Sequence, residues 1–188
     1  MRKRVVILAS GSGSLAQAII DASDLDIQVV AVVSDNPKAQ VLDRAKKAGV
    51  NTSVIELTGD RELWNEQLFN QVDQYRPDLV VSAGFMKILA ADFVQTFPTI
   101  NSHPALLPEF PGAHAVRDAL AAGVSVTGTT VHWVDDGVDT GPIITQMEVP
   151  VLPNDDEATL HERIKTVERG LIVATIALII PTLEPYSR

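Results

Sequence analysis

The sequence predicts an α/β fold, with a mostly parallel, twisted sheet flanked by helices and a long helix at the C-terminus. Three observations support this prediction. Short β-branched runs alternate with helix-patterned segments in the first half of the chain, and the connections between them are short. Residues 155–179 carry one continuous helical pattern. With 188 residues, 46% of them hydrophobic, the chain suits one domain with a sizeable core.

Four apolar, β-branched runs in the first half predict strands. They lack the polar alternation of half-exposed strands, so they are typical of a parallel sheet that is buried on both faces. Turn-forming residues such as Gly, Asn and Pro separate them from the segments that follow. The predicted strands are residues 4–9, residues 27–33, a third that begins at Val54 and Ile55, and residues 78–83.

Helical spacing of apolar residues predicts a helix after each of the first three strands. Gly49 is expected to follow the end of the second helix in a left-handed conformation. The polar segment from Thr58 to Asp60 is expected to cap the third. These helices are residues 15–22, 39–48 and 58–75.

The second half of the chain differs in character. Three prolines within residues 100–111 predict an ordered, irregular loop. A short helix that ends before Gly123 follows, then two strands around a turn-rich loop, then the long helix capped by Asn154 or Asp155. These elements are predicted at residues 113–122, 124–134, 143–149 and 155–179.

Composition limits the partners of the protein. The formal net charge of −9 opposes attraction to nucleic acid backbones, so we expect no nucleic acid partner. The apolar run over residues 171–180 is far shorter than the roughly 20 residues that span a bilayer, so we expect a buried helix, no membrane partner and a cytoplasmic protein. Without cysteine, the chain has no disulfide, thiolate metal ligand or cysteine nucleophile. The sequence does not decide between a monomer and a homodimer.

A glycine-rich turn, Ser10-Gly-Ser-Gly-Ser14, joins the first strand to the first helix. Its glycines let the backbone approach a ligand, and the helix start offers free N–H groups to a phosphate. A dinucleotide fingerprint would place a third glycine where Ala16 stands, and its acidic ribose ligand would be near Asp35. The context favours a phosphate-binding turn, with a plain tight turn and a dinucleotide site as alternatives.

Two polar side chains, Asn101 and His103, precede a proline-rich segment. Because they are two residues apart, they point to the same face of an extended backbone. An amide donor beside an imidazole suits a site in which negative charge develops on a carbonyl oxygen. The alternative is a histidine satisfied by a backbone carbonyl and an asparagine that stabilises a turn.

The segment of residues 132–142 places three carboxylates and two glycines between two predicted strands. Asp139 is followed by Thr-Gly-Pro, which could lock its position. A carboxylate near an imidazole can orient the ring and stabilise its charged form. A solvated acidic turn is one alternative. A metal site of His103, His132 and Asp139 is another, but we expect no metal because no pair has helical ligand spacing.

Taken together, these motifs are similar to those of the 10-formyltetrahydrofolate-dependent formyltransferases. The resemblance extends from Val5 to the final helix. It rests on four short motifs, the last of which begins 36 residues after the histidine: Asn101-x-His103-Pro104, Leu106-Leu107-Pro108, Pro111-Gly112 and Asp139-x-Gly141-Pro142.

The resemblance implies a Rossmann-like half, residues 1–100, that binds the phosphate of glycinamide ribonucleotide. Residues 101–188 would then carry the catalytic groups and hold the folate. The implied reaction transfers the formyl group of 10-formyltetrahydrofolate, a co-substrate, to the ribonucleotide amine in purine biosynthesis. Asn101, His103 and Asp139 correspond to the catalytic trio of the family.

The resemblance also assigns ligand contacts. Those to the ribonucleotide would come from Gly11, Ser12, Gly13, Ser14, Leu15 and Glu168. Those to the folate would come from Arg61, Phe85, Met86, Lys87, Ile88, Leu89, Asn101, Asp135 and Asp136.

Two positions depart from the family pattern. Leu15 stands where many members have asparagine, which removes a side-chain contact but leaves the backbone N–H groups of the turn. Lys87 stands where arginine is common, which keeps the charge but loses the bidentate fork. The resemblance further suggests a cis peptide bond between Leu107 and Pro108, in a proline-dense ordered loop.

Several other functions remain as alternatives. A deformylase, a sugar-nucleotide formyltransferase and a methionyl-tRNA formyltransferase also use formyltetrahydrofolate. The acidic charge and the end of the chain after one helix count against tRNA, and the early first strand counts against the deformylase, which usually has an added N-terminal domain. An NAD(P)-dependent oxidoreductase or a nucleotide-binding module would leave Asn101, His103 and Asp139 unexplained.

Overall fold

The computed structural model describes residues 2–187. The strands, numbered in chain order, are β1 (Lys3–Leu8), β2 (Ile27–Ser34), β3 (Asn51–Val54), β4 (Leu79–Ser82), β5 (Thr99–His103), β6 (Val126–Trp133) and β7 (Ile143–Pro150). The helices are α1 (Ser14–Asp21), α2 (Gln40–Lys47), α3 (Arg61–Asp73), α4 (Ala91–Thr96), α5 (Ala115–Ala122) and α6 (Glu157–Ile179). A short 3-10 helix, Ile180–Thr182, follows α6.

One seven-stranded sheet organises these elements, in the order β3-β2-β1-β4-β5-β6-β7. The pairs among β1 to β5 are parallel, whereas β6 and β7 join antiparallel. The predicted α/β fold, with a mostly parallel sheet and a long C-terminal helix, is confirmed. The strand order reverses between β1 and β4, and such a reversal opens a crevice at the carboxyl ends of the strands.

Both faces of the central strands are buried, since helices cover each of them. Along β1, Val5 and Ile7 pack in one apolar cluster with residues of α1, α2 and α6. Val6 and Leu8 point to the other face and pack with residues of α3 and α4. This two-sided burial is the reason that the strands read as unbroken apolar runs.

The prediction of an irregular loop over residues 100–111 is wrong for its first four residues. Residues 99–103 form β5, which pairs with β4 on one side and β6 on the other. The first proline, Pro104, comes only after the strand has ended. The local pattern does not indicate β5 because its partners lie far away in sequence. The Leu107–Pro108 peptide bond in the remaining loop is cis, as predicted.

Two further elements differ from the sequence prediction. β3 ends at Val54, where a strand was expected to begin, and it consists mostly of polar residues. It lies at the edge of the sheet, where an apolar run is not required. The short α4 was not predicted, and its single buried residue, Phe93, carries too little periodicity to indicate a helix.

The cap of the long helix is Asp156, not Asn154 or Asp155. The Asp156 carboxylate accepts the Thr159 N–H at 2.8 Å, and the Thr159 hydroxyl accepts the Asp156 N–H at 2.9 Å. Asp155 instead binds the Arg163 guanidinium at 2.6 and 2.7 Å. The reciprocal bonds satisfy two free donors at the helix start, so they decide where α6 begins.

The apolar run over residues 171–180 lies mostly within α6. Leu171, Ile172 and Ile176 are buried in the core, as predicted, whereas Leu178 is exposed. Among the helices of residues 2–187, none is long and apolar enough to cross a membrane.

Candidate active site

A cavity of about 610 Å³ lies at the carboxyl ends of β1, β4 and β5. The glycine-rich turn after β1, the segment that follows β4 and one side of α6 line it. All four histidines of the chain also line it. The cavity therefore occupies the crevice that the reversal of strand order predicts.

The predicted trio meets in this cavity. Asn101 and His103 project from β5, and Asp139 reaches them from the loop between β6 and β7. Asp139 Oδ2 lies 3.3 Å from His103 Nδ1, and Asp139 Oδ1 lies 3.4 Å from Asn101 Nδ2. The antiparallel β5–β6 pair brings these residues together across the sequence gap.

Asp139 is held in place as an anion. Its backbone is left-handed, with φ of 54°, and its Oδ2 accepts the Gly112 N–H at 2.8 Å. Burial alone would raise the pKa of Asp139, but hydrogen bonds from His132 and Gly112 and the charges of His103 and His132 lower it below the ordinary value. The carboxylate is consequently charged at neutral pH, where it stabilises positive charge on its neighbours.

His103 is oriented through both ring nitrogens. Its Nε2 lies 2.8 Å from the Phe110 carbonyl oxygen, which can only accept, so Nε2 carries a proton. Its Nδ1 faces Asp139, and protonation there makes the ring an imidazolium next to a carboxylate. The sequence analysis offered two interpretations of His103, a ring bonded to a backbone carbonyl and a ring paired with a carboxylate. The structure contains both contacts.

His132 also belongs to this site. The sequence analysis named it only as a possible ligand of a metal ion. It lies opposite Asn101 in the β5–β6 register, and its Nε2 is 3.3 Å from Asn101 Nδ2 and 3.5 Å from Asp139 Oδ1. The Trp133 carbonyl accepts from His132 Nδ1 at 2.8 Å, which leaves Nε2 to face the trio. Within residues 2–187, no group of three or more His, Cys, Asp or Glu side chains is arranged to hold a metal ion.

The glycine-rich turn is braced from α2. Gly13 has φ of 75°, and a Cβ there would meet Val41 at 2.4 Å. Val41 N–H donates to the Gly11 carbonyl at 3.2 Å, and Arg44 Nε donates to the Ser12 carbonyl at 2.8 Å. These two bonds hold the turn against α2. Gly11 to Leu15 all line the cavity.

The segment after β4 forms an apolar rim, and Phe85 to Leu89 all line the cavity. Met86 and Ile88 are 67% and 58% exposed, so the rim carries exposed apolar surface. Arg61 lies outside the lining; its guanidinium donates to the Ile88 carbonyl and stacks 4.5 Å over the Trp64 ring. Arg61 thus supports this rim from behind.

A partly buried ion pair lies between the two segments. Asp35 Oδ1 accepts the Ser10 hydroxyl at 2.5 Å, and Asp35 Oδ2 lies 2.9 Å from Lys87 Nζ. Burial would raise the pKa of Asp35, but the hydrogen bonds from Ser10 and Lys87 and the charge of Lys87 lower it. With both oxygens engaged inside the protein, Asp35 is not oriented as the ribose ligand of a dinucleotide site.

On α6, Glu168 and Lys165 face the cavity. Glu168 is buried, and its Oε1 accepts the Ser102 hydroxyl at 2.9 Å. Burial raises the pKa of Glu168 even though the bond from Ser102 and the charge of Lys165 act in the opposite direction. Lys165 was missed by the sequence analysis, although its position three residues before Glu168 places it on the same helix face.

We expect Glu168→Gln to stabilise the protein at alkaline pH while weakening ligand binding. A carboxyl group with a raised folded-state pKa loses stability as the pH rises from its unfolded value through the folded one. The melting temperature of the variant should thus exceed that of the wild type at pH 8, with the difference shrinking towards pH 4. Thermal melts across this range test it, with the exposed Glu66→Gln as control; equal melting temperatures at pH 8 would contradict it.

The two acidic residues predicted to contact the folate, Asp135 and Asp136, lie in the β6–β7 loop. Asp135 lines the cavity, and its Oδ1 accepts from the Gly137 N–H at 3.1 Å and the Thr140 hydroxyl at 2.7 Å. Asp136 is exposed and does not contribute to the lining. The carboxylate of Asp135 therefore shapes the loop that carries Asp139.

The class of protein follows from this site and from comparison with known proteins. Residues 3–176 match the family model described as formyl transferase, which covers most of the chain. The chain belongs to the formyl transferase family. The resemblance inferred from the sequence motifs is confirmed at this level.

The chain is also similar to individual members of that family over most of its length. The chain is 51% identical over 180 residues to the phosphoribosylglycinamide formyltransferase of Mycobacterium tuberculosis (strain ATCC 25618 / H37Rv), covering 93% of this chain and 83% of that one. It is 41% identical over 180 residues to the Escherichia coli (strain K12) protein of the same name, covering 92% and 85%. The glycinamide ribonucleotide transformylase 1 structure from Symbiobacterium toebii superposes with a TM-score of 0.93 at 38% identity, covering 96% of this chain and 89% of that one.

Proposed function

We propose that this protein transfers the formyl group of 10-formyltetrahydrofolate to the amine of glycinamide ribonucleotide. The products would be formylglycinamide ribonucleotide and tetrahydrofolate, a step of purine biosynthesis. The observation that carries the proposal is the meeting of Asn101, His103 and Asp139 in one cavity, between a phosphate-type turn and an apolar rim. The names of the relatives support the same substrates.

The first half of the chain, residues 1–100, would bind the phosphate of the ribonucleotide through the N–H groups of Gly11 to Ser14. Lys165 lines the same cavity and supplies positive charge, which a phosphate dianion requires. Glu168 is placed to bind sugar hydroxyls, because a buried carboxyl group needs hydrogen-bond partners. Leu15 is buried against the core and offers no polar contact, so the backbone binds the phosphate.

The folate would lie against the apolar rim formed by residues 85–89, with Asp135 and Asp136 in the loop on the opposite side. The exposed Met86 and Ile88 side chains suit a flat ring system, since they lose exposed apolar surface when it binds. Arg61, whose guanidinium donates to the Ile88 carbonyl, would supply the positive charge for an anionic tail beside the rim. The catalytic groups would come from residues 101–188.

The proposed reaction is a direct acyl transfer assisted by residues of the trio. The amine nitrogen bonds to the formyl carbon, the bond from that carbon to folate N10 breaks, and one proton passes from the amine to N10. Asn101 Nδ2 and the His103 imidazolium stabilise the negative charge on the formyl oxygen. The contacts of Asn101 Nδ2 with His132 and Asp139, and of His103 Nδ1 with Asp139, are long at 3.3 to 3.4 Å, so a developing oxyanion can compete for the donors.

A formyl-transfer assay tests the proposal. The purified protein is mixed with 10-formyltetrahydrofolate and glycinamide ribonucleotide, and the absorbance change on loss of the formyl group is followed. We expect turnover that requires both substrates. Loss of the formyl group at the same rate without the ribonucleotide would indicate a deformylase instead, and no change with either mixture would reject the proposal.

Gly13→Ala should weaken ribonucleotide binding and destabilise the fold by about 2 kcal/mol or more, because a left-handed alanine is strained and its Cβ would overlap Val41. Chemical unfolding and calorimetric titration with the ribonucleotide measure the two effects. Gly49→Ala is the matched control: its φ of 73° is similar, but nothing lies within 4 Å of its Cβ. Equal stability losses in both variants would show that the contact with Val41 is unimportant.

A further inference from the structure

We propose that Asp35 is a positioning residue that joins the two ligand-binding segments, and that Lys87 acts mainly by neutralising Asp35 rather than by binding a ligand. The inference rests on the proposed function for the ligand that each segment takes. It assigns a role to Asp35, which the trio and the ligand contacts do not use. It also explains why a lysine suffices at position 87.

The geometry links three loops through one carboxylate. Asp35 follows β2, and its side chain is only 6% exposed. One of its oxygens accepts the Ser10 hydroxyl at 2.5 Å, and the other pairs with Lys87 Nζ at 2.9 Å. The Ser10 oxygen in turn accepts the Met86 N–H at 2.8 Å.

These bonds fix both segments against each other. Ser10 directly precedes Gly11, so its position sets the start of the phosphate-type turn. Met86 and Lys87 belong to the apolar rim, so the same carboxylate sets the backbone and one side chain of that rim. A shift of about 1 Å between the two segments would misplace the amine relative to the formyl carbon, and such displacements are costly in rate.

The charge of Asp35 requires compensation. The carboxylate that binds Ser10, the first residue of the turn, has the same sign as a phosphate bound there, and the two would repel each other. Lys87 removes this repulsion, because its ammonium lies against the carboxylate. A compact ammonium is sufficient for that purpose, whereas the planar fork of arginine matters only for bidentate binding.

Substitutions at the pair separate these roles. Calorimetry with glycinamide ribonucleotide and with ribose 5-phosphate is carried out on Lys87→Met, Lys87→Arg, Asp35→Asn and the double variant Asp35→Asn/Lys87→Met. We expect Lys87→Met to raise both dissociation constants about tenfold, because the carboxylate is left uncompensated. The double variant should return to within about threefold of the wild type, and Lys87→Arg should bind as the wild type does.

Asp35→Asn alone should affect the other substrate. The amide still accepts the Ser10 hydroxyl, but it no longer holds Lys87, so the rim is less ordered. We expect the KM for 10-formyltetrahydrofolate to rise about threefold to tenfold, with ribose 5-phosphate binding unchanged or tighter. Asp26→Asn is the matched control: it precedes the opposite end of β2, its side chain is 75% exposed, and it should change neither constant.

Each outcome decides the inference. A double variant that binds as weakly as Lys87→Met would overturn it, since Lys87 would then contact the ligand directly. Wild-type binding by Lys87→Met would also overturn it. Should Lys87→Met fail to fold, Ser10→Ala tests the same linkage through loss of both segment bonds, and unchanged constants there would count against it. Failure of the wild-type formyl transfer would reject the proposed function alone, because ribose 5-phosphate binding still reports the charge coupling.

Discussion

Replacing His103 with alanine is expected to lower kcat at least about 100-fold while both substrates still bind. In the proposed mechanism the imidazolium stabilises charge that develops on the formyl oxygen only during the reaction, so its loss should affect the transition state more than the bound ground state. The Phe110 carbonyl and Asp139 currently fix the orientation of the ring through both nitrogens. Single-turnover kinetics measures the rate of the chemical step.

Binding itself is the control for this variant, since all four histidines line the cavity and none offers a neutral comparison. Calorimetry should show dissociation constants for both substrates within about threefold of the wild type. Wild-type turnover by His103→Ala would remove this residue from the mechanism. A loss of binding equal to the loss of turnover would instead make His103 a substrate-binding residue.

Asp139→Asn is expected to lower kcat by at least about 100-fold as well, and to change the pH profile. The wild-type profile should be a bell, because the amine attacks as the free base whereas the imidazolium must keep its proton. Removal of the Asp139 charge makes protonation of His103 less favourable. The alkaline limb of the variant should therefore move to lower pH.

Asp139 itself ionises at too low a pH to produce an acid limb in the neutral range. Its pKa is lowered from an ordinary value of 3.8, so the carboxylate stays charged until the pH falls below that value. An acid limb above about pH 5 is then not the ionisation of Asp139, and it should be unchanged in Asp139→Asn. The stability that the carboxylate contributes should likewise be present at neutral pH and lost only as the pH falls through the lowered pKa.

Profiles of kcat against pH from about pH 5 to 9.5 test this coupling. Asp118→Asn is a suitable control, since that carboxylate is 42% exposed on α5 and pairs with its neighbour Arg117 at 3.0 Å. Its profile should match the wild type. An alkaline limb that stays in place in Asp139→Asn would show that Asp139 acts as a turn residue that shapes the loop.

Local patterns were sufficient to predict the framework of this protein. The apolar run of β1, the glycines at 11 and 13 and the helix that follows define one strand–turn–helix unit, because each depends only on neighbouring residues. The same holds for Gly49, whose φ of 73° matches the predicted left-handed position. The motifs around Asn101, His103 and Asp139 also identified the family, since their spacing is distinctive.

Long-range pairing decided the rest. Residues 100–103 became a strand because β4 and β6 lie on either side, and no local signal indicates partners so far away in the chain. The same β5–β6 register placed His132 opposite Asn101 and so added it to the trio. A one-residue slip would have turned His132 to the other face of the sheet.

The charge pairs likewise depended on the tertiary structure. Asp35 reads in the sequence as a turn residue before Pro37, yet the fold buries it against Lys87, which is 52 positions away. Glu168 is one charged residue on a helix in the sequence, yet burial in the assembled fold raises its pKa even though the bond from Ser102 acts in the opposite direction. Composition and periodicity determine which elements form, because those depend on local backbone preference and burial. Which side chains meet depends on strand order and register, and these are set only when the whole sheet assembles.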